Sequence, residues 1–191
     1  MNFSRLQQTR IADLAPVYGG ARGRTMSSRH QLYAWRALQE AGIKTMIDLR
    51  LSDHTDRLPA LCEQYGLRYF HYPMDTSDEA VGQMASLYPL LCEHIDAGDF
   101  YIACAMGLHR TDIVLCAYWI FHGAERGLDA PVLYGYRQEK NVKIDKLLRL
   151  LNSLYERLCN AEEKPIISLE TFKKRKALLQ TAYTDNNNIP T

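Results

Sequence analysis

At 191 residues and a net charge of +1, with 47% hydrophobic and 24% charged side chains, the chain has the composition of a folded globular protein and the size of one domain. That near-neutral charge excludes a global field that would draw in nucleic acid or an anionic membrane, so any attraction for anions has to be local. The longest apolar run, 113–121, falls well short of the roughly 18 residues of a membrane span, and no apolar run follows the first basic residue as in a signal peptide.

The elements follow in chain order. Over 29–41, Leu32, Trp35 and Leu38 share one helical face and Gly42 closes the run. The segment 43–49 is apolar and partly β-branched and reads as a buried strand, and 67–74 reads as a second. Between them Leu58, Leu61, Cys62 and Tyr65 sit at helical spacing before Gly66, which makes a strand-helix-strand unit of the kind that builds parallel sheets. Val81, Met84, Leu87, Leu91 and Ile95 mark another crossover helix, and 99–103 a third buried strand. Ile113, Cys116, Ala117, Ile120 and Phe121 mark a helix apolar almost all round. Amphipathic helices are expected over 141–159 and 168–181; the basic run Lys173-Lys174-Arg175-Lys176 falls on the latter and is expected to be a solvated face. The pattern predicts an α/β fold, a central, mainly parallel sheet of four or five strands with helices on both faces. A single domain is expected over 1–184 and a disordered tail over 185–191.

The chemistry concentrates between the strand at 99–103 and the apolar helix. There the chain reads Cys104-Ala105-Met106-Gly107-Leu108-His109-Arg110-Thr111, a C-x-x-G-x-x-R-T loop at a helix N-terminus. Such a turn aims successive backbone N–H groups inward and the helix end adds partial positive charge, so a tetrahedral dianion fits, with Arg110 as a bidentate clamp. The same field favours an anionic sulfur, which makes Cys104 the candidate nucleophile. Gly107 permits the backbone conformation and close approach that the turn requires. The other cysteines (Cys62, Cys92, Cys116 and Cys159) form no CxxC pair with it or with each other, so reduced thiols are expected, with no metal site, no cofactor and a cytoplasmic location.

The loop resembles the signature of the cysteine-dependent protein tyrosine and dual-specificity phosphatase superfamily. Residues 41–50, Ala-Gly-Ile-Lys-Thr-Met-Ile-Asp-Leu-Arg, are similar to an upstream helix-end and strand of dual-specificity phosphatases, and 17–22 to their first strand. The Gly-x-His-Arg-Thr form further resembles the atypical dual-specificity branch, some of whose members act on inositol polyphosphates and pyrophosphates, although Leu108 stands in place of the lysine typical there.

The resemblance implies hydrolysis of a phosphorylated protein or small molecule through a phosphocysteine on Cys104. Ala105, Met106, Gly107, Leu108, His109 and Arg110 would hold the phosphate, and Thr111 would support the sulfur as leaving group. It also implies an upstream aspartate as general acid. Asp75, 29 residues before Cys104, is the first choice, and Asp78, which also suits the first turn of the following helix, is the rival.

Two residues depart from the family pattern: Ala103 replaces a histidine and Asp112 a glycine. They keep open a catalytically weak pseudophosphatase that binds phosphorylated ligands, in which Ala103→His would restore rate. A rhodanese-like sulfurtransferase or an arsenate reductase is the third class. Arsenate reduction needs a resolving cysteine, for which Cys116 is the nearby candidate. The residues give no oligomeric state.

Overall fold

The computed structural model describes residues 2–9, 11–26, 32–51, 57–75, 77, 80–134, 144–161 and 166–187. They fall into two units, Met1–Asp75 with Pro89–Thr111 and Thr76–Tyr88 with Asp112–Thr191.

The first unit carries a five-stranded sheet in the order β1-β2-β5-β3-β4. Its elements are α1 (Phe3–Gln7), β1 (Ala15–Val17), β2 (Gly20–Arg24), α2 (Leu32–Glu40), β3 (Thr45–Asp48), α3 (Leu58–Gln64), β4 (Arg68–His71) and β5 (Phe100–Cys104), with the second half of α4 (Ala80–Asp96) and the start of α5 (His109–Tyr118). Only β1 against β2 is antiparallel; β2, β3 and β4 run parallel to β5 or to each other. The sheet is therefore the expected mainly parallel one.

Residues 17–22, read as part of one strand, turn out to hold a hairpin. Tyr18 and Gly19 both have positive φ, 48° and 82°, and Val17 pairs with Gly20 across them. A two-residue turn with positive φ at both positions matches the twist of the strands it joins. The strand expected over 67–74 is shorter than its apolar pattern, since β4 stops at His71 and 72–75 leave the sheet as a connecting segment.

Side-chain alternation then sorts the sheet residues. Ala21, Met46, Tyr101 and Ala103 join Trp35, Leu38, Leu58 and Cys62 in one apolar cluster with α1, α2 and α3. The neighbouring positions Arg22, Ile102 and Cys104 take the opposite side. Helices α2 and α3 close as the sequence indicates. At Gly42, φ 88°, the Gly42 and Ile43 N–H groups donate to Gln39 and Leu38, and Gly66 and Leu67 repeat the arrangement on Glu63 and Cys62.

On β4 and α4, Tyr72 Oη lies 2.7 Å from His94 Nε2, and the Phe70 ring lies 4.0 Å from the His94 ring. Burial, and then the Arg68 charge, hold the His94 pKa below its ordinary value, so the neutral ring accepts the Tyr72 hydroxyl. A lowered folded pKa means that the unfolded chain binds the proton first as pH falls through about 6.5. The neutral ring's contribution is thus complete above that pH and is lost below it. Melting curves should show the advantage of wild type over His94→Gln narrowing between pH 7.5 and 5; a gap that widens instead would refute the assignment.

In the second unit, α5 is buried from Asp112 to its end and passes into a π turn at Trp119–Gly123, where a continuous α-helix was expected. Ala124 N–H donates to Trp119 O rather than to Ile120 O, and the freed Ile120 carbonyl accepts from Arg175 Nη1 at 2.7 Å. Helices α6 (Ile144–Ala161) and α7 (Leu169–Asn187) complete the unit, with Tyr155 and Phe172 stacked at 4.3 Å. Residues 141–143, expected to open α6, lie outside the described residues, and α7 runs three residues into the segment read as a tail.

The basic run on α7 divides. Arg175 serves the π turn and Lys176 reaches Asn152 Oδ1 at 2.8 Å, which leaves Lys173 and Lys174 as the solvated part. Among the described residues no helix is long and apolar enough to cross a membrane.

Candidate active site

Because β2, β5, β3 and β4 are parallel, their carboxyl ends share one edge of the sheet, and β5 ends there on Cys104 between two neighbours. Ligands in open α/β sheets bind at that edge. Residues 105–108 form the turn that leads from β5 into α5, and α5 begins at His109. The loop and Arg110 thus meet at a helix N-terminus, as the spacing predicts.

The turn is held from within and from β2. The Cys104 carbonyl accepts three hydrogen bonds: from Gly107 N–H at 3.0 Å, Thr25 N–H at 3.1 Å and Thr25 Oγ1 at 2.9 Å. Gly107 sits at φ 69°, and a Cβ there would lie 2.5 Å from Gly23 C and 2.6 Å from Arg24 N. The loop therefore rests directly on the β2 backbone, which no side chain at 107 would allow. Since the Gly107 N–H is engaged within the turn, this residue shapes the loop rather than presenting a donor. The Gly107 carbonyl in turn accepts from Arg22 Nη2 at 2.7 Å, and Arg22 is only 2% exposed. Neither Arg22 nor Thr25 stood out in the sequence. The one available signal was an arginine inside a short strand of glycine and alanine.

Cys104 is 3% exposed. Of the loop side chains, Ala105 and Met106 are exposed, Leu108 is buried, and His109 and Arg110 are half-buried. Arg110 Nε and Thr111 Oγ1 are buried and have no hydrogen-bond partner among the described residues. Two such donors on consecutive residues at a helix N-terminus match an anion or a thiolate, because a buried donor left unsatisfied is costly. Asp112, next along the chain, is fully buried in the first turn of α5.

Asp75 lies four residues beyond the end of β4 and is exposed. It leaves the same sheet edge as Cys104, two strands away. Asp78 lies outside the described residues.

Between them, the end of β3 forms a closed polar cluster. Asp48, fully buried, accepts from Arg50 Nε at 3.0 Å, Arg50 Nη2 at 2.9 Å and Tyr69 Oη at 2.9 Å, while His71 Nε2 meets the Arg50 carbonyl at 2.7 Å. Asp48 and Arg50 thus partner each other, and their cluster braces the strand beside β5. Burial, and then the Asp48 carboxylate, push the Cys62 thiol up to about 12, so Cys62 stays protonated at neutral pH. Cys116, the resolving-cysteine candidate, is fully buried in α5.

Ala103 has no exposure and packs in the apolar cluster with Tyr101 and Met46. An imidazole there would enter a packed core. The Cys104 carbonyl is already anchored by Thr25, so Ala103→His is no simple restoration.

With this geometry in hand, the chain compares with solved structures as follows. A proposed phosphatase (DUF442) from Shewanella putrefaciens superposes with a TM-score of 0.57 at 19% identity, over 82% of this chain and 98% of that one. The core catalytic domain of the PP-IP phosphatase SIW14 from S. cerevisiae gives 0.49 at 11% identity, over 95% and 97%. TpbA from P. aeruginosa, in complex with pTyr, gives 0.45 at 14%, over 91% and 98%. No protein-family model and no curated protein matches the sequence. The chain has a phosphatase-like α/β fold.

Proposed function

We propose that this protein is a cysteine-dependent phosphomonoester hydrolase. The observation that carries the reading is a turn closed on the Cys104 carbonyl with two buried donors at the head of α5, Arg110 Nε and Thr111 Oγ1, that have no hydrogen-bond partner among the described residues. The Cys104 sulfur attacks phosphorus and forms the S–P bond while the bond from phosphorus to the substrate oxygen breaks. Arg110 and the loop N–H groups stabilise the equatorial oxygens of the transition state. Asp75 gives its proton to the departing oxygen and then, as carboxylate, takes a proton from the water that breaks the S–P bond. Thr111 donates to the sulfur as it leaves.

Asp75 is preferred as the acid because two strand spacings, about 10 Å, separate β4 from β5, a distance that four residues of chain can cover. Asp75→Asn should cut kcat about 100-fold on an alkyl phosphate and much less on para-nitrophenyl phosphate, whose leaving group needs little protonation. An equal loss on both substrates would remove Asp75 from that role and return it to Asp78.

The substrate is a phosphorylated protein or a small phosphorylated metabolite. Exposed Ala105 and Met106, with Leu108 buried, give the loop an apolar rim, which favours a monoester on an apolar or aromatic group over a densely charged inositol pyrophosphate. The free cysteines, four of them buried, suit a reducing cytoplasm.

A second reading, a phosphate-recognition module with weak turnover, is favoured by the buried Asp112 carboxylate. Hydrolysis of para-nitrophenyl phosphate between pH 5 and 8, with a chelator present, separates the two. Turnover that survives the chelator supports the hydrolase; orthovanadate binding without turnover supports the module.

A further inference from the structure

A guanidinium with 2% exposure on a strand of small residues needs a reason, because burying a charge is unfavourable unless it is matched. One of its contacts reaches the loop. Arg22 Nη2 donates to Gly107 O at 2.7 Å, across 85 positions of sequence. The described chain has no cis peptide bond, and in a trans peptide the C=O and the following N–H point in opposite directions. Drawing the Gly107 carbonyl toward β2 therefore turns the Leu108 N–H away from β2. Thr25 does the same for the first peptide of the loop: with the Cys104 carbonyl held on β2, the Ala105 N–H faces the other way.

We propose that Arg22 is a positioning residue of the anion site: it sets the orientation of the Leu108 N–H and places a fixed positive charge behind the loop that complements a bound phosphate dianion. Its strand supports the assignment. Arg22 pairs in register with Ile102 and Arg24 with Cys104, so β2 runs alongside the reacting cysteine, and Gly107 is seated on the same strand at Gly23 and Arg24. Arg22 touches the loop and not the substrate; its effect is on the shape and charge of the cradle.

The proposal rests on the anion-site reading given above. Its test compares wild type, Arg22→Met, Arg22→Gln and Arg22→Lys for orthovanadate and inorganic phosphate binding by calorimetry and for para-nitrophenyl phosphate kinetics, with melting curves to fix the folded fraction. Arg22→Met should weaken orthovanadate, which mimics the transition state, about 100-fold, lower kcat to match and change KM by less than about tenfold. Arg22→Lys, which keeps the charge, should recover about tenfold or more of the orthovanadate affinity. A merely structural arginine would lower the melting temperature and leave the constants of the folded fraction unchanged.

Unchanged orthovanadate affinity in folded Arg22→Met overturns the proposal, as does a lysine no better than methionine. If the methionine variant does not fold, Arg22→Gln, whose shorter amide cannot reach Gly107 O, is read by the same criteria. Wild type that binds orthovanadate without hydrolysing para-nitrophenyl phosphate sinks the hydrolase and leaves Arg22 to be decided by the binding constants. Wild type that binds neither anion sinks both.

Discussion

Cys104→Ser should lower para-nitrophenyl phosphate turnover by about four orders of magnitude or more while keeping inorganic phosphate binding. A serine hydroxyl occupies nearly the volume of the thiol and disturbs none of the three hydrogen bonds that Thr25 and Gly107 donate to the residue 104 carbonyl, all of which are accepted by backbone oxygen. What it lacks is the sulfur nucleophile that would form the bond to phosphorus. Arg110→Ala is the counterpart and should lose both properties, because under the proposed mechanism it removes the bidentate partner of the equatorial oxygens. Stopped-flow rates and calorimetry on the three proteins decide the matter. Substantial turnover in Cys104→Ser would exclude a phosphocysteine, and tight orthovanadate binding in Arg110→Ala would place the anion elsewhere.

Gly107→Ala is expected to be nearly as damaging with a single added carbon. The new Cβ would sit 2.5 to 2.6 Å from the backbone of Gly23 and Arg24, where no flexible side chain can yield, and the residue would keep a φ of 69° that alanine disfavours. Either the loop lifts off β2 or the strand shifts. A cost of about 2–4 kcal/mol is expected, seen as a fall of roughly 5–15 °C in melting temperature. Lifting the loop also breaks the contact from Arg22 to the residue 107 carbonyl, so orthovanadate binding should fall about 100-fold or more in the protein that remains folded. An alanine variant with wild-type melting and wild-type orthovanadate affinity would show that the loop does not bear on β2 in solution.

What could be read from the chain alone, and what could not, follows from the range of the interactions. The parallel sheet was legible because its strands are short apolar runs separated by helical runs that end on glycine, and each of those signals is local: Gly42 and Gly66 close α2 and α3 by bonds that span a few residues. The loop was legible because Cys104, Gly107, Arg110 and Thr111 fall within one eight-residue segment and their spacing alone brings them to a helix N-terminus. The supports of the loop were not. Arg22 and Thr25 are 85 and 79 positions away from the carbonyls they hold, and only strand pairing brings them there. The hairpin at Tyr18 and Gly19 was missed because its first residue is a tyrosine, which rarely takes positive φ. The π turn depends on an arginine of α7 taking the Ile120 carbonyl, which no pattern within α5 reveals.

The strand order carries a consequence for how the protein comes to exist. The last strand in sequence, β5, lies third in space, between β2 and β3. Until residues 100–104 have emerged during synthesis, β2 and β3 have no common neighbour, and each presents an open edge of unpaired N–H and C=O groups. A nascent chain that has paired β1 with β2 and β3 with β4 would still have a gap at the centre of its sheet. Filling that gap joins the two halves of the sheet and, in the same event, sets the cysteine at the end of β5 against the strand that carries Arg22. Sheet closure and assembly of the reactive loop become one late, non-local step, the kind that folds slowly and leaves the unfinished chain most exposed to aggregation.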